Sequence, residues 1–365
     1  MHLIIQSVYD MIHIFNPEHD IALGARVEQF TAPHAARQLR YDLGFLPMIW
    51  AEEGDKVIVE DVEAAKEAFR HLGLKTKGSW HSWKELADAL DVRQPEEIAP
   101  WGWDQALFHR MVKAGVSPAL LPMPNRLETI RQMSHRQWAA EHVLPAMRLL
   151  PNTAGEATAV FNVSSFMSLL HDHGRVVVKA PWSSSGRGIR YLDGQNPASY
   201  SAQIRNWARN VVARQGCIML EPYYNKVSDF AMEFVSDGRG TVRYCGLSVF
   251  DTRGGAYSGS ILDTEEDKAR RLGAWISTNQ LTMIKEQLTL VLSKELGNSY
   301  RGPLGVDMMV VSIDNKLMVH PCVELNLRRT MGHVALALTR RIKVTPKIMS
   351  IVYTDKYRLK VGAPL

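Results

Sequence analysis

Residues 304–326, LGVDMMVVSIDNKLMVHPCVELN, constrain the fold more than any other stretch. Asp314-Asn315 is a two-residue turn signal between two runs of alternating character, so the segment is predicted to be a β-hairpin. A turn there sets Ile313 opposite Lys316 and, carried down the ladder, Asp307 opposite Cys322. Asp307, Glu324 and Asn326 then share one face, while Val306, Met308, Val310, Val319, Pro321 and Val323 form an apolar opposite face. Diagonal neighbours in such a pair lie within about 8 Å. Two carboxylates and an amide oxygen at that spacing suit a hard divalent cation such as Mg²⁺. A solvated polar face is the alternative, but Met309, Val311 and Met318 make that side too apolar for simple exposure.

A second segment, VVVKAPWSSSGRGI (176–189), carries the complementary charge. Val176 to Val178 is short and β-branched and reads as a buried strand. Lys179 at its end is costly inside a sheet unless an anion meets it. The small residues Ser183-Ser184-Ser185-Gly186-Arg187-Gly188 let backbone N–H groups approach a ligand closely. A fixed cation before a donor-rich loop fits phosphate, with a plain surface loop as the alternative.

Elsewhere, strand-like and helix-like segments alternate. MIHIF (11–15) reads as a first strand followed by the turn-and-helix signal NPEHDIALG. FLPMIW reads as a strand, Val62–Leu72 and Trp83–Leu90 as helices, and EEIAP as a strand. This alternation predicts an N-terminal α/β layer on a parallel sheet. The Pro-rich SPALLPMPNR (117–126) marks a boundary. Beyond it we expect a helix over LETIRQMSHRQWAAEHV, a strand near AMRLLP, a helix through FNVSSFMSLLHDHG, and then the lysine-ended strand. A helix over ASYSAQIRNWARNVV, the strand CIML running into EPYY, strands at DFAMEFV and TVRYCGLSVF, and the Gly-rich loop DTRGGAYSGS follow. A long helix from about Glu265 to Leu296 leads into the hairpin.

Composition excludes several classes. At 365 residues, 46% hydrophobic and 22% charged, the chain can bury a large core. A net charge of +5 without lysine or arginine runs suits small anions and gives no nucleic-acid signature, and no base-stacking aromatics are interleaved with cations. Cys217, Cys245 and Cys322 have no metal or redox spacing, which predicts free thiols and a cytoplasmic setting. No apolar run reaches membrane-spanning length, the N-terminus is a poor signal peptide, and either Met1 or Met11 serves as a start. Walker A, dinucleotide, His-Glu-x-x-His, Gly-x-Ser-x-Gly and kinase catalytic-loop patterns are missing, so phosphate binding needs another architecture.

Lys179 at a strand end before a Ser/Gly loop, then Glu221-Pro222-Tyr223-Tyr224, then Asp307, Glu324 and Asn326 in order, resembles the ATP-grasp superfamily over about residues 127–340. The resemblance implies an α/β architecture: a preceding α/β domain (1–126), a small lid subdomain (127–220) and a C-terminal subdomain with the metal site (221–365). It implies ATP and one or two Mg²⁺ ions as cofactors. Lys179 matches the lysine on the α- and β-phosphates, and Ser183 to Gly188 the loop that closes over them. Glu221 to Tyr224 match the adenine hinge, where Pro222 offers its carbonyl and Tyr224 its N–H. Asp229 falls near the ribose carboxylate, and Asp307, Glu324 and Asn326 match the metal ligands. The family's earlier lysine appears as Arg136, which keeps charge but not geometry.

Proteins similar to this pattern mostly join a carboxylate to an amine through an acyl phosphate, so small-molecule carboxylate and amine substrates are implied partners. A small-molecule kinase and a non-catalytic nucleotide-binding module are the other readings. Arg328 and Arg329 are candidates for the transferring phosphoryl group or the acceptor carboxylate, with a surface ion pair as the alternative for one of them. Arg253 and Tyr257 are weaker candidates. Glu18, His19 and Asp20 either touch substrate or cap a helix. A homodimer is left open.

Overall fold

Three sheets organise the chain in the computed structural model, which describes residues 10–27, 30–90, 96–183, 186, 188–253, 256–342 and 346–363, the side chains of Ala89, Glu96, Arg253 and Ala256 excepted. The lid-loop residues Ser184, Ser185 and Arg187, and the side chain of Arg253, therefore lie outside the described residues.

The first sheet holds β1 (Asp10–Ile14), β2 (Lys56–Val59), β3 (Ser79–Ser82) and β4 (Glu96–Pro100) in the order β3-β2-β1-β4, all parallel. Helices cross between these strands, as the alternation predicts. FLPMIW departs from its expected strand. Pro47 supplies no N–H, and Leu46–Ile49 forms a buried 3₁₀ turn, while KVIV, which follows it, takes the strand position.

The second sheet holds β5 (Thr158–Val160), β6 (Arg175–Lys179), β7 (Ile189–Asp193) and β8 (Ile218–Pro222) in the order β5-β8-β6-β7, all antiparallel. Its core is Val176, Val178, Ile218 and Leu220 packed on Phe166 and Leu170 of the helix Val163–His173 and on Ala208 and Val211 of the helix Ala202–Gln215. AMRLLP does not form a strand: Leu144–Met147 is a short helix whose buried residues join a larger core.

The third sheet is antiparallel and seven-stranded, in the order β13-β12-β9-β10-β11-β14-β15. It comprises β9 (Asn225–Asp237), β10 (Val242–Arg253), β11 (Ala256–Leu262), β12 (Arg301–Ile313), β13 (Lys316–Asn326), β14 (Lys347–Tyr353) and β15 (Tyr357–Gly362). One face carries Phe230, Met232, Phe234, Leu247, Val249, Val306, Met308 and Val310 against the helices Pro124–Met133 and Thr278–Leu296. The expected long helix from Glu265 breaks after Leu272, where Ser277 caps a new start by accepting from the Gln280 N–H. Strand alternation sends Asp229, Ala231, Glu233, Ser248, Phe250 and Asp307 to the other face.

That second face meets the N-terminal layer. Phe15, Leu43, Phe45, Leu46, Met48 and Trp101 share a core with Leu262, Val334, Ala335, Leu338, Met349 and Leu359. The C-terminal hairpin β14–β15, which the sequence reading left unassigned, extends the sheet from β11. Among the described residues no helix is long and apolar enough to cross a membrane.

Candidate active site

The hairpin turn forms at Asp314-Asn315, both with positive φ (49° and 63°), and Ile313 pairs with Lys316 as expected. The register holds to Met309 opposite His320 and then shifts. Asp307 faces Glu324 directly, rather than Cys322, because residues 321–323 bulge against Met308. Pro321 has no N–H to give the ladder, which accounts for the break at this point. The bulge inserts two residues, an even number, so parity survives and Asp307, Glu324 and Asn326 stay on one face while Cys322 turns into the apolar core.

Asn326 Nδ2 donates to Asp307 Oδ2 at 3.1 Å, which leaves the amide oxygen free. Burial, then the neighbouring Glu324 and Glu233, push the Asp307 carboxyl up to about 8. Such crowding of carboxylates is relieved by a cation, and the donors are the hard oxygens that Mg²⁺ prefers. Among the described residues no group of three His, Cys, Asp or Glu side chains has metal-holding geometry. Any ion here therefore rests on two carboxylates and an amide, the remaining ligands being water or phosphate.

Lys179 ends β6, and Val177 pairs with Glu221 on β8, so Lys179 and Glu221 are diagonal neighbours on one face. Their Nζ–Oε2 distance is 2.6 Å, and both are buried. Arg136, first residue of the helix Arg136–His142, reaches both sides of the site. It donates to Ala180 O at 2.7 Å, to Ser183 Oγ at 2.9 Å and to Glu324 Oε1 at 2.7 Å. The segment after β6 and strand β13 are thus tied by one guanidinium. Gly188 returns close under Ser183: a Cβ there would lie 2.3 Å from Ser183 Cβ, so the loop needs glycine at that position.

In the expected hinge, Tyr223 turns outward beneath the Arg175 guanidinium (3.9 Å from the ring centroid) and its N–H donates to Arg175 O. Tyr224 turns inward, edge-on to His320 with ring centroids 5.9 Å apart. Asp229 sits on the same face of the sheet as Asp307, where Thr252 Oγ1 donates to it at 2.7 Å and Lys226 pairs with it.

The two arginines past the hairpin part company. Arg328 forms a forked pair with Asp20 (Nε–Oδ2 3.0 Å, Nη2–Oδ2 2.9 Å) at the cavity wall. Arg329 instead lays its guanidinium 4.4 Å from the Trp50 ring centroid and donates its N–H to Trp101 O. Of the Glu18-His19-Asp20 cluster only Asp20 lines the cavity. Glu18 makes no capping bond and pairs with Arg40, and His19 pairs with Asp104 at 3.2 Å.

A cavity of about 420 Å³ opens between the sheet face and the N-terminal layer. Arg136, Asp307, Glu324, Asn326 and Arg328 line it, together with Tyr257 and with Ile351, Tyr353 and Tyr357 of the C-terminal hairpin. Sequence reasoning missed Glu233, Ser248 and His320. The period-2 pattern of DFAMEF puts Glu233 on the same face as Asp229, and that signal was there to be read. His320 is 1% exposed and among the described residues neither ring nitrogen has a hydrogen-bond partner, and burial, then Lys179, hold its imidazole down at about 3.

No family model and no curated protein matches the sequence. Solved structures do. The Campylobacter jejuni biotin carboxylase–βγ-ATP complex is similar over 94% of this chain and 75% of its own, at 14% identity and TM-score 0.54. The biotin carboxylase domain of Hydrogenobacter thermophilus 2-oxoglutarate carboxylase, in complex with MgADP, ADP and bicarbonate, is similar over 94% and 74%, at 15% identity and TM-score 0.54. Rhizobium etli pyruvate carboxylase matches over 94% of this chain and 31% of its own, at 14% identity and TM-score 0.52. Sheet order, a lysine-ended lid strand and the likeness to these structures agree: the chain has the ATP-grasp fold behind an N-terminal α/β layer.

Proposed function

We propose that the protein is an ATP- and Mg²⁺-dependent, ADP-forming ligase that joins a small-molecule carboxylate to an amine through an acyl phosphate. One observation carries the reading: Arg136, Asp307, Glu324, Asn326 and Arg328 line one substrate-sized cavity, and Arg136 links them to the lysine-ended strand. The structural neighbours contribute the fold, and their recorded ligands, ADP and MgADP among them, are those the reading calls for.

In this reading Lys179 and Arg136 exchange their carboxylate partners for phosphate oxygens, and residues 183–188 close over them. Pro222 O and Tyr224 N–H take the adenine edge, and Asp229 the ribose. Asp307, Glu324 and the Asn326 amide oxygen hold Mg²⁺, which when bound draws negative charge from the phosphates. Arg328, aimed by its fork with Asp20, holds the acceptor carboxylate. A carboxylate oxygen attacks the γ-phosphorus, and the bond from that phosphorus to the ADP oxygen breaks. The neutral amine nitrogen then attacks the acyl carbon, the carbon–oxygen bond to phosphate breaks, and the nitrogen gives up a proton to the leaving phosphate. The N-terminal layer keeps water from the acyl phosphate.

Hydroxylamine tests this. With Mg²⁺-ATP and a panel of carboxylic acids, the expected result is ADP release with a hydroxamate product. A phosphorylated alcohol as the stable product overturns it in favour of a kinase, and nucleotide binding without ADP release from any acid points to a non-catalytic module.

A further inference from the structure

Beside the Asp307 carboxylate, the cavity holds a second charge that the proposed ATP chemistry does not use. Glu233 is 1% exposed and lines the cavity, and its Oε2 accepts no hydrogen bond among the described residues. Ser248, 2% exposed on the adjacent strand, is a diagonal neighbour whose Oγ is also unpartnered. Leaving such groups unmet costs free energy, so a buried carboxylate and hydroxyl side by side mark a place for a donor.

His333 Nδ1 lies 3.0 Å from Glu233 Oε2 but is spoken for. The Thr330 N–H donates to that nitrogen at 3.2 Å, closing a capping box, while Nε2 faces the Phe234 carbonyl at 3.2 Å. The Phe234 carbonyl calls for an N–H on Nε2 and the Thr330 N–H calls for a lone pair on Nδ1, so these hydrogen bonds fit the Nε2–H tautomer. The buried Lys268 donates to Leu247 O. Gly332 keeps the spot open, because a Cβ there would lie 1.9 Å from Glu233 Oε1 and 2.9 Å from Ser248 Oγ.

The cavity is lined by the carboxylates of Asp20, Glu233, Asp307 and Glu324 and by the guanidiniums of Arg136 and Arg328. Arg328 answers Asp20, and Arg136 answers Glu324. Asp307 belongs with the metal in the reading above, which leaves Glu233 as the one carboxylate with no cation answering it among these cavity-lining side chains. A second carboxylate substrate would be repelled there, whereas an ammonium is complementary. The same cavity is lined by apolar and aromatic side chains: Phe15, Leu39, Trp101, Phe250, Tyr257 and Ile351.

We propose that the nucleophile is a primary amine with an apolar or aromatic body, bound as an ammonium that donates to Glu233 and Ser248 and passes one proton to the Glu233 carboxylate before the nitrogen attacks, its body lying among those six side chains. This rests on the ligase reading for the word nucleophile, but the binding site stands on its own geometry.

The test is calorimetric titration of the full chain with 2-phenylethylamine, with ethylamine (same head, no body) and with 3-phenylpropionate (same body, opposite charge). The expected result is that 2-phenylethylamine binds at least tenfold tighter than either comparison ligand. Glu233→Gln, isosteric but uncharged, should weaken it at least tenfold, and Ser248→Ala severalfold; each variant is first checked for native circular dichroism. Equal binding to wild type and a folded Glu233→Gln, or 3-phenylpropionate binding as tightly as the amine, overturns the proposal. Hydroxamate trapping in the wild-type protein needs no amine pocket. Trapping without amine preference therefore sinks only the amine assignment, and amine preference without trapping sinks only the ligase.

Discussion

Replacing Lys179 should unsettle the lid sheet even when no ATP is present. At 2.6 Å the Lys179–Glu221 attraction is about 6 kcal/mol for an effective dielectric of about 20. Desolvating the two ions offsets most of that gain, so the intact pair is close to neutral for stability. Lys179→Met breaks the balance by leaving Glu221, 5% exposed, charged and unpaired. Breaking a buried pair in this way typically costs about 3–5 kcal/mol. Removing both charges, as Lys179→Met with Glu221→Met, should return stability to within about 1 kcal/mol of wild type, giving a large coupling in the double-mutant cycle. Hydrogen exchange read on peptides covering β6 and β8 is the assay, since it reports local opening. The single variant should exchange about two to three and a half orders of magnitude faster there, and the double variant close to wild type. A single variant that protects β6 and β8 as well as wild type does would refute the reasoning, because Glu221 would then have an alternative partner or open access to water.

Glu324→Gln keeps an oxygen for Arg136 but removes the negative charge proposed to hold the metal, so ATP turnover should fall at least a hundredfold while the melting temperature without ligand stays within about 2 °C. Asp307 has its folded value raised to about 8, above an unfolded value of about 4, so the folded state holds the extra proton between these limits. The ligand-free protein should therefore lose stability as pH rises from about 4 to 8, a trend Asp307→Asn flattens, and Mg²⁺ binding near pH 7 should release protons measurable by calorimetry in buffers of different ionisation heat. Arg328→Lys cannot reproduce the fork to Asp20, so kcat/KM should drop at least tenfold in a steady-state assay, with a lasting loss in Asp20→Asn as well. His320→Leu removes two buried ring nitrogens without partners among the described residues and should raise the melting temperature in calorimetry.

Much of this site is visible before any coordinates. Alternation and a two-residue turn are local signals, so the face shared by Asp307, Glu324 and Asn326 follows from counting. The count failed at Pro321 in detail but not in consequence, since a two-residue bulge exchanges the partner and preserves the side. Lys179 at the end of a β-branched run was legible for the same reason. What was not legible depends on distant chain. The ties from Arg136 to Glu324 span 188 residues, and those from Arg328 to Asp20 span 308. No periodicity links such positions. FLPMIW shows the other limit, because a short apolar run with a proline satisfies a buried 3₁₀ turn as well as a strand.

The pairings share a logic that single residues do not reveal. Lys179, Arg136 and Arg328, the cations read here as ligand-facing, are each held by a carboxylate, Glu221, Glu324 and Asp20 respectively. Buried cations without counter-charges would be expensive and would shift or swing away. Pairing holds them in place, and it also means that an anionic ligand gains only the difference between its own contacts and those it replaces. Arg136 makes this exchange cooperative, because its contacts to Ala180 and Ser183 on the lid side and to Glu324 on the metal side belong to one rigid guanidinium. A cation taken up by Glu324 frees Arg136 for phosphate, and phosphate that draws Arg136 away bares Glu324 for a cation. Metal and nucleotide should therefore each raise the other's affinity, by the same factor. Calorimetric titrations run in both orders measure that factor. Equal ATP affinity with and without Mg²⁺ would mean that Arg136 stays on Glu324 throughout.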